Sequence, residues 1–389
     1  MSAFRPKKFV DMRPVYRNDE QHISYLGMDP EFFVRDGAGK YVGAYHYFPT
    51  SQTSRSVDAH IFFRDGWALE INPHKNTCRE VLQQYINTVL WAALRALPSD
   101  HTLVATSAVP IDLEDLRDAP TDCLTFGCKP SLNAYTGGVP GVVDLDAAEH
   151  PFRYAGGHIH HSFLPRRERV WQSEHEKLLL VPQYWDKYVA LPLTYLVGGE
   201  ATAQRRQHYG KAGEFRIQKY PNGCGGMEYR TPGPEMYAAP WLLTMALGAS
   251  RVVWEDFEWF LEYRPLKHQD QVRAAVNRGL PDEGLLDLID PIPWLYDQKI
   301  LYGARNHTSK LSLDVRHVLT EYNWEGGALS SWRYFVEDSL GISLADTIRP
   351  RYDGNEYPNE EDDGWYDPDD DFDDDLGPLY IQDEERRAV

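Results

Sequence analysis

Four stretches of this chain carry polar side chains at every second position, with mostly apolar residues between them. They are MDPEFFV (28–34), ALEINP (68–73), GGHIHHSF (156–163) and GGMEYR (225–230). On a strand, residues i and i+2 point to the same face. Asp29 and Glu31 therefore share a face, as do Glu70 and Asn72, His158, His160 and Ser162, and Glu228 and Arg230. Leu69, Ile71, Met227 and Tyr229 turn the other way. The alternation predicts a sheet with one packed face and one polar face. An ordinary solvated sheet face alternates in the same way, but it usually mixes Lys, Thr and Glu. Here the charged and amide types are four carboxylates, His, Asn and Arg, with no Lys.

If these strands are neighbours, Asp29, Glu31, Glu70 and Glu228 crowd together. Like charges a few ångströms apart repel strongly where the dielectric is low. Either their pKa values rise or cations sit among them. Carboxylates with an occasional imidazole, arranged around water, suit Mg²⁺ or Mn²⁺. The dense histidines at 158–161 admit three readings: metal ligands, phosphate contacts or a polar strand face. Basic residues cluster as well. Arg205, Arg206, Lys211 and Arg216 fall within AQRRQHYGKAGEFR, and Arg230 follows. Guanidinium forks match phosphate and carboxylate geometry, although Arg205 and Arg206 also read as surface charge. Metals together with arginines point to phosphoryl chemistry, in which a protein chiefly positions groups and neutralises charge.

The chain between these stretches is mixed. A strand is expected over 24–34 with a return at 41–48. A hairpin is expected from 58–63 and 67–73 around Asp65-Gly66. A helix should follow, with Thr77 and Glu80 as a capping box and Val81, Leu82, Tyr85, Ile86, Val89, Leu90, Ala93, Leu94 and Leu97 repeating at helical spacing. Further strands are expected at 102–111, 153–163, 213–220 and 225–232, the last two joined by a Pro-Asn-Gly turn. Helices are expected at 166–198, broken near Pro182 and Pro192, then as one long helix at 236–263, then as shorter pieces over 266–345. Strands and helices without strict βαβ alternation favour an α+β fold with a largely antiparallel sheet.

The 389 residues can bury a large core. Net charge is −19, but residues 351–389 alone carry −13, leaving −6 for the other 350. That tail repels itself and offers little to bury, so it reads as largely disordered. It is either a solubility segment or a docking peptide anchored by Trp365, Tyr366, Phe372 and Tyr380. The acidic balance argues against direct nucleic-acid binding through phosphates. No apolar run approaches the ~20 residues of a membrane span, and no signal peptide is expected. Cys78, Cys123, Cys128 and Cys224 supply neither a disulfide framework nor a tetrahedral zinc site. The expected location is cytoplasmic.

Standard nucleotide motifs are missing. There is no GxxxxGK[ST], and TGGVPG (136–141) and NGCGG (222–226) lack the strand-turn-helix setting of a dinucleotide site. They read as turns. HExxH and GxSxG are also absent, and no base is implied beside Cys224.

Taken together, GGHIHHS resembles the glycine-histidine-x-histidine-x-serine strand of glutamine synthetases and glutamate–cysteine ligases. MEYR resembles their E-x-R strand, DPE their paired-acid first strand, and ALEINP their second acidic strand. With YGKAGEFR included, the pattern is most similar to the phage-encoded carboxylate–amine ligases, type 2, over roughly residues 24–262. That resemblance implies a glutamine synthetase-like catalytic fold, a curved, mainly antiparallel sheet with helices on one face and ATP on the other. Asp29, Glu31, Glu70, His158 and Glu228 would ligate two or more Mg²⁺ or Mn²⁺ ions. Asn72, His160, Ser162, Arg205, Arg206, Lys211, Arg216 and Arg230 would bind ATP or substrate, and Arg216, Arg230 and Glu228 would act in catalysis. In this family reading, residues 1–20 form an irregular arm, 21–265 the catalytic domain, 266–350 a helical extension packed on it, and 351–389 the acidic tail. The implied activity is ATP-dependent amide formation through an acyl phosphate, from small-molecule or peptide acids and amines. The alternatives are a guanidino or amine phosphotransferase of the same superfamily and a non-catalytic phage-associated binding protein. Two departures stand out: Asp29 where the family pair has two glutamates, and Asn72 where glutamine synthetases carry another acid.

Overall fold

The computed structural model describes residues 24–51, 55–57, 60–124, 131–141, 145–162, 175–219, 225–290, 298–306 and 311–321. The arm at 1–20, the Pro-Asn-Gly turn, Cys128, Cys224, residues 322–350 and the acidic tail lie outside the described residues. So do residues 166–174 of the expected helix.

Thirteen strands are described: β1 (Leu26–Arg35), β2 (Tyr41–Val42), β3 (Arg55–Val57), β4 (His60–Asp65), β5 (Ala68–Asn72), β6 (Thr102–Val104), β7 (Ala108–Pro110), β8 (Leu132–Asn133), β9 (Val139–Pro140), β10 (Phe152–Tyr154), β11 (Gly157–Ser162), β12 (Glu214–Lys219) and β13 (Gly225–Tyr229). Nine run in the order β3-β4-β5-β1-β11-β13-β12-β8-β9, and β2 and β6 also pair with β1; β7 and β10 form a separate ribbon. Every pairing between these strands is antiparallel. The mixed α+β class is thus observed.

Register shows how alternation becomes architecture. Met28 lies opposite Ile159, Ile159 opposite Tyr229, and Tyr229 opposite Phe215. All four are buried in one cluster. This apolar row crosses the middle of the sheet, and each such side chain contributes about 1.5–3 kcal/mol by leaving water. The helices Arg79–Ala96 and Pro240–Glu255 cover that face, touching β1, β4, β5 and β11. Gln269–Arg278, Gln298–Asn306 and Val315–Glu321 add Val276, Leu301 and Leu319 to the same core.

Several local expectations change. The 41–48 return is two strand residues followed by a 3-10 turn at Ala44–His46. The capping box does not form: the first helix starts at Arg79, and Asn76 Oδ1 accepts from Cys78 N at 2.7 Å. The 102–111 strand is two short strands, and 153–163 breaks into β10 and β11. Pro182 sits inside the helix His175–Trp185, which runs through a π-helical turn at Asp186–Ala190 into Leu191–Val197. The long 236–263 helix is a 3-10 turn at Pro234–Ala238 and two helices that meet at Asp256.

The two glycines before the histidines have separate steric reasons. A Cβ at Gly157 would lie 2.6 Å from the backbone oxygen of Gly233, and one at Gly156 would lie 2.3 Å from His158 Nε2. Backbone cannot yield as a flexible side chain can. Gly157→Ala is therefore expected to lose on the order of 1–3 kcal/mol of stability, measured by urea unfolding. An unchanged midpoint would refute this close packing.

Candidate functional site

The opposite face of the same strands collects the polar residues. Glu31 lies opposite Glu70, Asp29 opposite His158, His160 opposite Glu228, and Glu228 opposite Arg216. Directly opposed residues of an antiparallel pair share a face. Four expected carboxylates, two histidines and an arginine thus project from one surface.

Glu228 is fully buried at its centre. Arg230 Nη1 donates to its Oε1, and Gln218 Nε2 donates to its Oε2. Arg216 Nη1 stands 3.9 Å from Oε2, and His158 Nδ1 stands 3.5 Å from Oε1. Burial pushes this carboxyl up, but Arg230 and the two imidazoles outweigh it and leave it below its ordinary range. Asp29 Oδ1 lies 3.1 Å from both His158 Nδ1 and His160 Nε2. Burial raises Asp29 too, and His160 and His158 bring it well below normal. The two rings differ. Burial and then the Arg230 charge lower His158 to about 4. His160 is raised because the attraction of Asp29 overcomes burial.

The neighbouring carboxylates behave in the opposite way. Burial, reinforced by Asp65 and Asp29, lifts Glu31 to about 8, although Gly156 N donates to its Oε2 at 2.7 Å. Burial and then Asp65, Asp29 and Glu31 raise Glu70 well above normal, although Asn72 Nδ2 donates to its Oε1 at 3.1 Å. One end of the face therefore holds carboxylates with too few cations, and the other holds guanidinium groups.

Two sets of ligand-type atoms come together. One atom each from Asp29, His160 and Glu228, and one each from Glu31, Asp65 and Glu70, lie within 4.8 Å of one another. In the first set the Asp29 Oδ1 atom is buried and makes no well-formed hydrogen bond, and the same is true of Nδ1 of the adjoining His158, while His160 turns Nε2 to Asp29 at 3.1 Å. Carboxylate oxygens and imidazole nitrogens left in this state fit a hard or borderline divalent cation. Asp29, His160 and Glu228 could hold one such ion, with His158 Nδ1 beside Asp29 and Glu228, and Glu31, Asp65 and Glu70 another.

The remaining expected site residues have other partners. Arg205 and Arg206 are buried and turned to backbone: Arg205 donates to the carbonyls of Thr231 (2.9 Å) and Arg230 (3.0 Å), and Arg206 to that of Thr231. They brace the segment that carries Arg230. Ser162 Oγ accepts from Tyr25 N at 2.9 Å. Lys211 is exposed, and its carbonyl accepts from Thr231 Oγ1.

Asp65, Tyr209 and Gln218 belong to the site and were not singled out from sequence. Gln218 was legible, since it follows Arg216 at period two. Asp65 looked like turn chemistry beside Gly66. Tyr209 ends a helix and carries no periodic signal.

Similarity to known proteins agrees with part of this picture. The family model described as "Phage phiEco32-like COOH.NH2 ligase-type 2" matches residues 141–279. The match spans His158, His160, Arg216, Glu228 and Arg230, and leaves out Asp29, Glu31 and Glu70. No curated protein matches the chain. A solved bifunctional glutathione synthetase from Pasteurella multocida is similar at 14% identity and a TM-score of 0.39. That alignment covers 81% of this chain and 51% of the synthetase, so the chain spans about half its length. At that TM-score the likeness carries no weight for fold or function. No helix among the described residues is long and apolar enough to cross a membrane.

The raised Glu31 has a consequence for stability. An unfolded glutamate ionises near pH 4.3, whereas the folded one holds its proton to about 8. The native state thus binds more protons in this window, and its contribution to stability falls as pH rises through it. As pH climbs through neutrality to about 8, wild-type protein in EDTA should lose stability relative to Glu31→Gln. Urea midpoints of both proteins at successive pH values test this, and parallel curves would contradict it.

Proposed function

We propose that this protein is an ATP-dependent carboxylate–amine ligase. The carrying observation is the register that sets Glu31 against Glu70, Asp29 against His158, and His160, Glu228 and Arg216 in one row. An acidic region for cations thereby adjoins a guanidinium region for anions. The family match over residues 141–279 supports the same reaction class, as does the resemblance to glutamine synthetase-like sheets.

A carboxylate is a poor acyl donor because its oxide cannot leave. Phosphorylation by ATP would convert it to an acyl phosphate, which an amine attacks to form an amide and release phosphate. Bound Mg²⁺ or Mn²⁺ would supply Lewis-acid neutralisation of phosphate charge. Arg216, within 3.9 Å of Glu228 and partly open to solvent, would contact the transferring phosphate. Arg230, buried and engaged by Glu228 and Tyr209, would orient an anionic group of substrate. Glu228 would share in holding the ion and fix both arginines. The substrates are proposed to be small-molecule or peptide acids and amines, met in the cytoplasm, with the acidic tail available to a protein partner.

The expected result is phosphate release from ATP only when Mg²⁺ or Mn²⁺, an acid and an amine are all present, with the condensed product read by mass. Glu228→Gln should lower kcat by about 10²–10³, the size found when a preorganised electrostatic group is removed. Phosphorylated amine without condensation would favour the phosphotransferase alternative. Turnover retained in Glu228→Gln would overturn the role of that residue.

A further inference from the structure

Tyr209 stands between two site residues. Arg230 Nη2 donates to its hydroxyl at 2.7 Å, and the same hydroxyl meets His158 Nε2. The Arg205 guanidinium lies 4.4 Å from the Tyr209 ring centroid and that of Arg230 5.1 Å. The tyrosine and His158 rings meet edge-on, with centroids 5.8 Å apart at 90°.

Donor and acceptor accounting fixes the protons. A guanidinium only donates, so the hydroxyl accepts from Arg230. The other edge of His158 faces carboxylate oxygens of Asp29 at 3.1 Å and Glu228 at 3.5 Å. Two carboxylate oxygens attract an N–H and repel a lone pair, so Nδ1 carries the proton. In the neutral ring Nε2 is then bare and accepts from Tyr209.

We propose that Tyr209 is a positioning residue whose hydroxyl, held by Arg230, fixes the ring orientation of His158 by engaging its Nε2. The metal-free ring points an N–H at Asp29 and Glu228. A second consequence rests on the cation reading above. For His158 to ligate an ion through Nδ1, that nitrogen must lose its proton and Nε2 must gain one, the ring staying neutral. The Tyr209 hydroxyl then turns from donor to acceptor. A hydroxyl can serve both forms, and partners of this kind orient metal-bound imidazoles. Nothing in the sequence around QHYG signals this role.

The test is ¹⁵N NMR of histidine-labelled protein in EDTA at pH 7, with the His158 signal identified by its loss in His158→Gln. The expected spectrum shows protonated Nδ1 and bare Nε2. Tyr209→Phe should leave the proton on Nδ1, where Asp29 and Glu228 attract it, and shift the Nε2 signal as that nitrogen loses its hydrogen bond. A wild-type ring already protonated at Nε2 would overturn the proposal without need of the variant, as would an Nε2 shift unchanged in Tyr209→Phe. Calorimetric titration with Mg²⁺ on protein shown to be folded by its melting transition adds a second reading: Tyr209→Phe should bind about 10–100-fold more weakly, and equal affinity would refute the outer-partner role. Absence of Mg²⁺ binding by wild-type protein would count against the cation reading alone, and the ¹⁵N spectrum would still decide the role of Tyr209.

Discussion

The buried charge of Glu228 governs this structure. A carboxylate taken wholly out of water costs several kcal/mol unless partners surround it. Here β11 brings His160 opposite it, β12 brings Arg216 and Gln218, and the residue two positions on brings Arg230. Arg230 lies on the same strand, but His160, Arg216 and Gln218 lie on others and meet Glu228 only if three strands pair in one register, so the charge is fully surrounded only in the correctly assembled sheet.

That requirement extends outward. Arg230 is held by carbonyl contacts that Arg205 and Arg206 make to its own segment. Gly210, at φ +63°, lets the chain pass the Arg205 guanidinium, where a Cβ would lie 2.1 Å away. On the other side, Asp29 is faced by His158 and His160, while Glu31 and Glu70 have no imidazole opposite them. The face is therefore polarised along its length. Its cation-poor end raises carboxyl pKa values and its guanidinium end lowers them.

The hydrophobic side shows the same economy. His161 falls between two residues of the polar row and points into the core, where it stacks on Trp185 at 5.2 Å and meets Ser250 Oγ at 3.1 Å. Burial, and next the charge of Arg251, lowers it well below the ordinary histidine range. Three histidines in four positions thus divide by parity, two to the polar face and one to the core.

Period-two alternation was legible in sequence, and it sufficed to place Asp29 with Glu31, Glu70 with Asn72, His158 with His160, and Glu228 with Arg230. It also gave the α+β class, because alternation and helical periodicity are local properties of the chain. Parity along one strand says nothing of which strand lies beside it. The pairing order β5-β1-β11-β13-β12, the tie of Tyr209 to His158, the entry of Asp65 and the inward turn of Arg205 and Arg206 were decided by tertiary structure. These are contacts between distant segments, chosen by how the apolar row packs under its helices, and no local pattern encodes that choice.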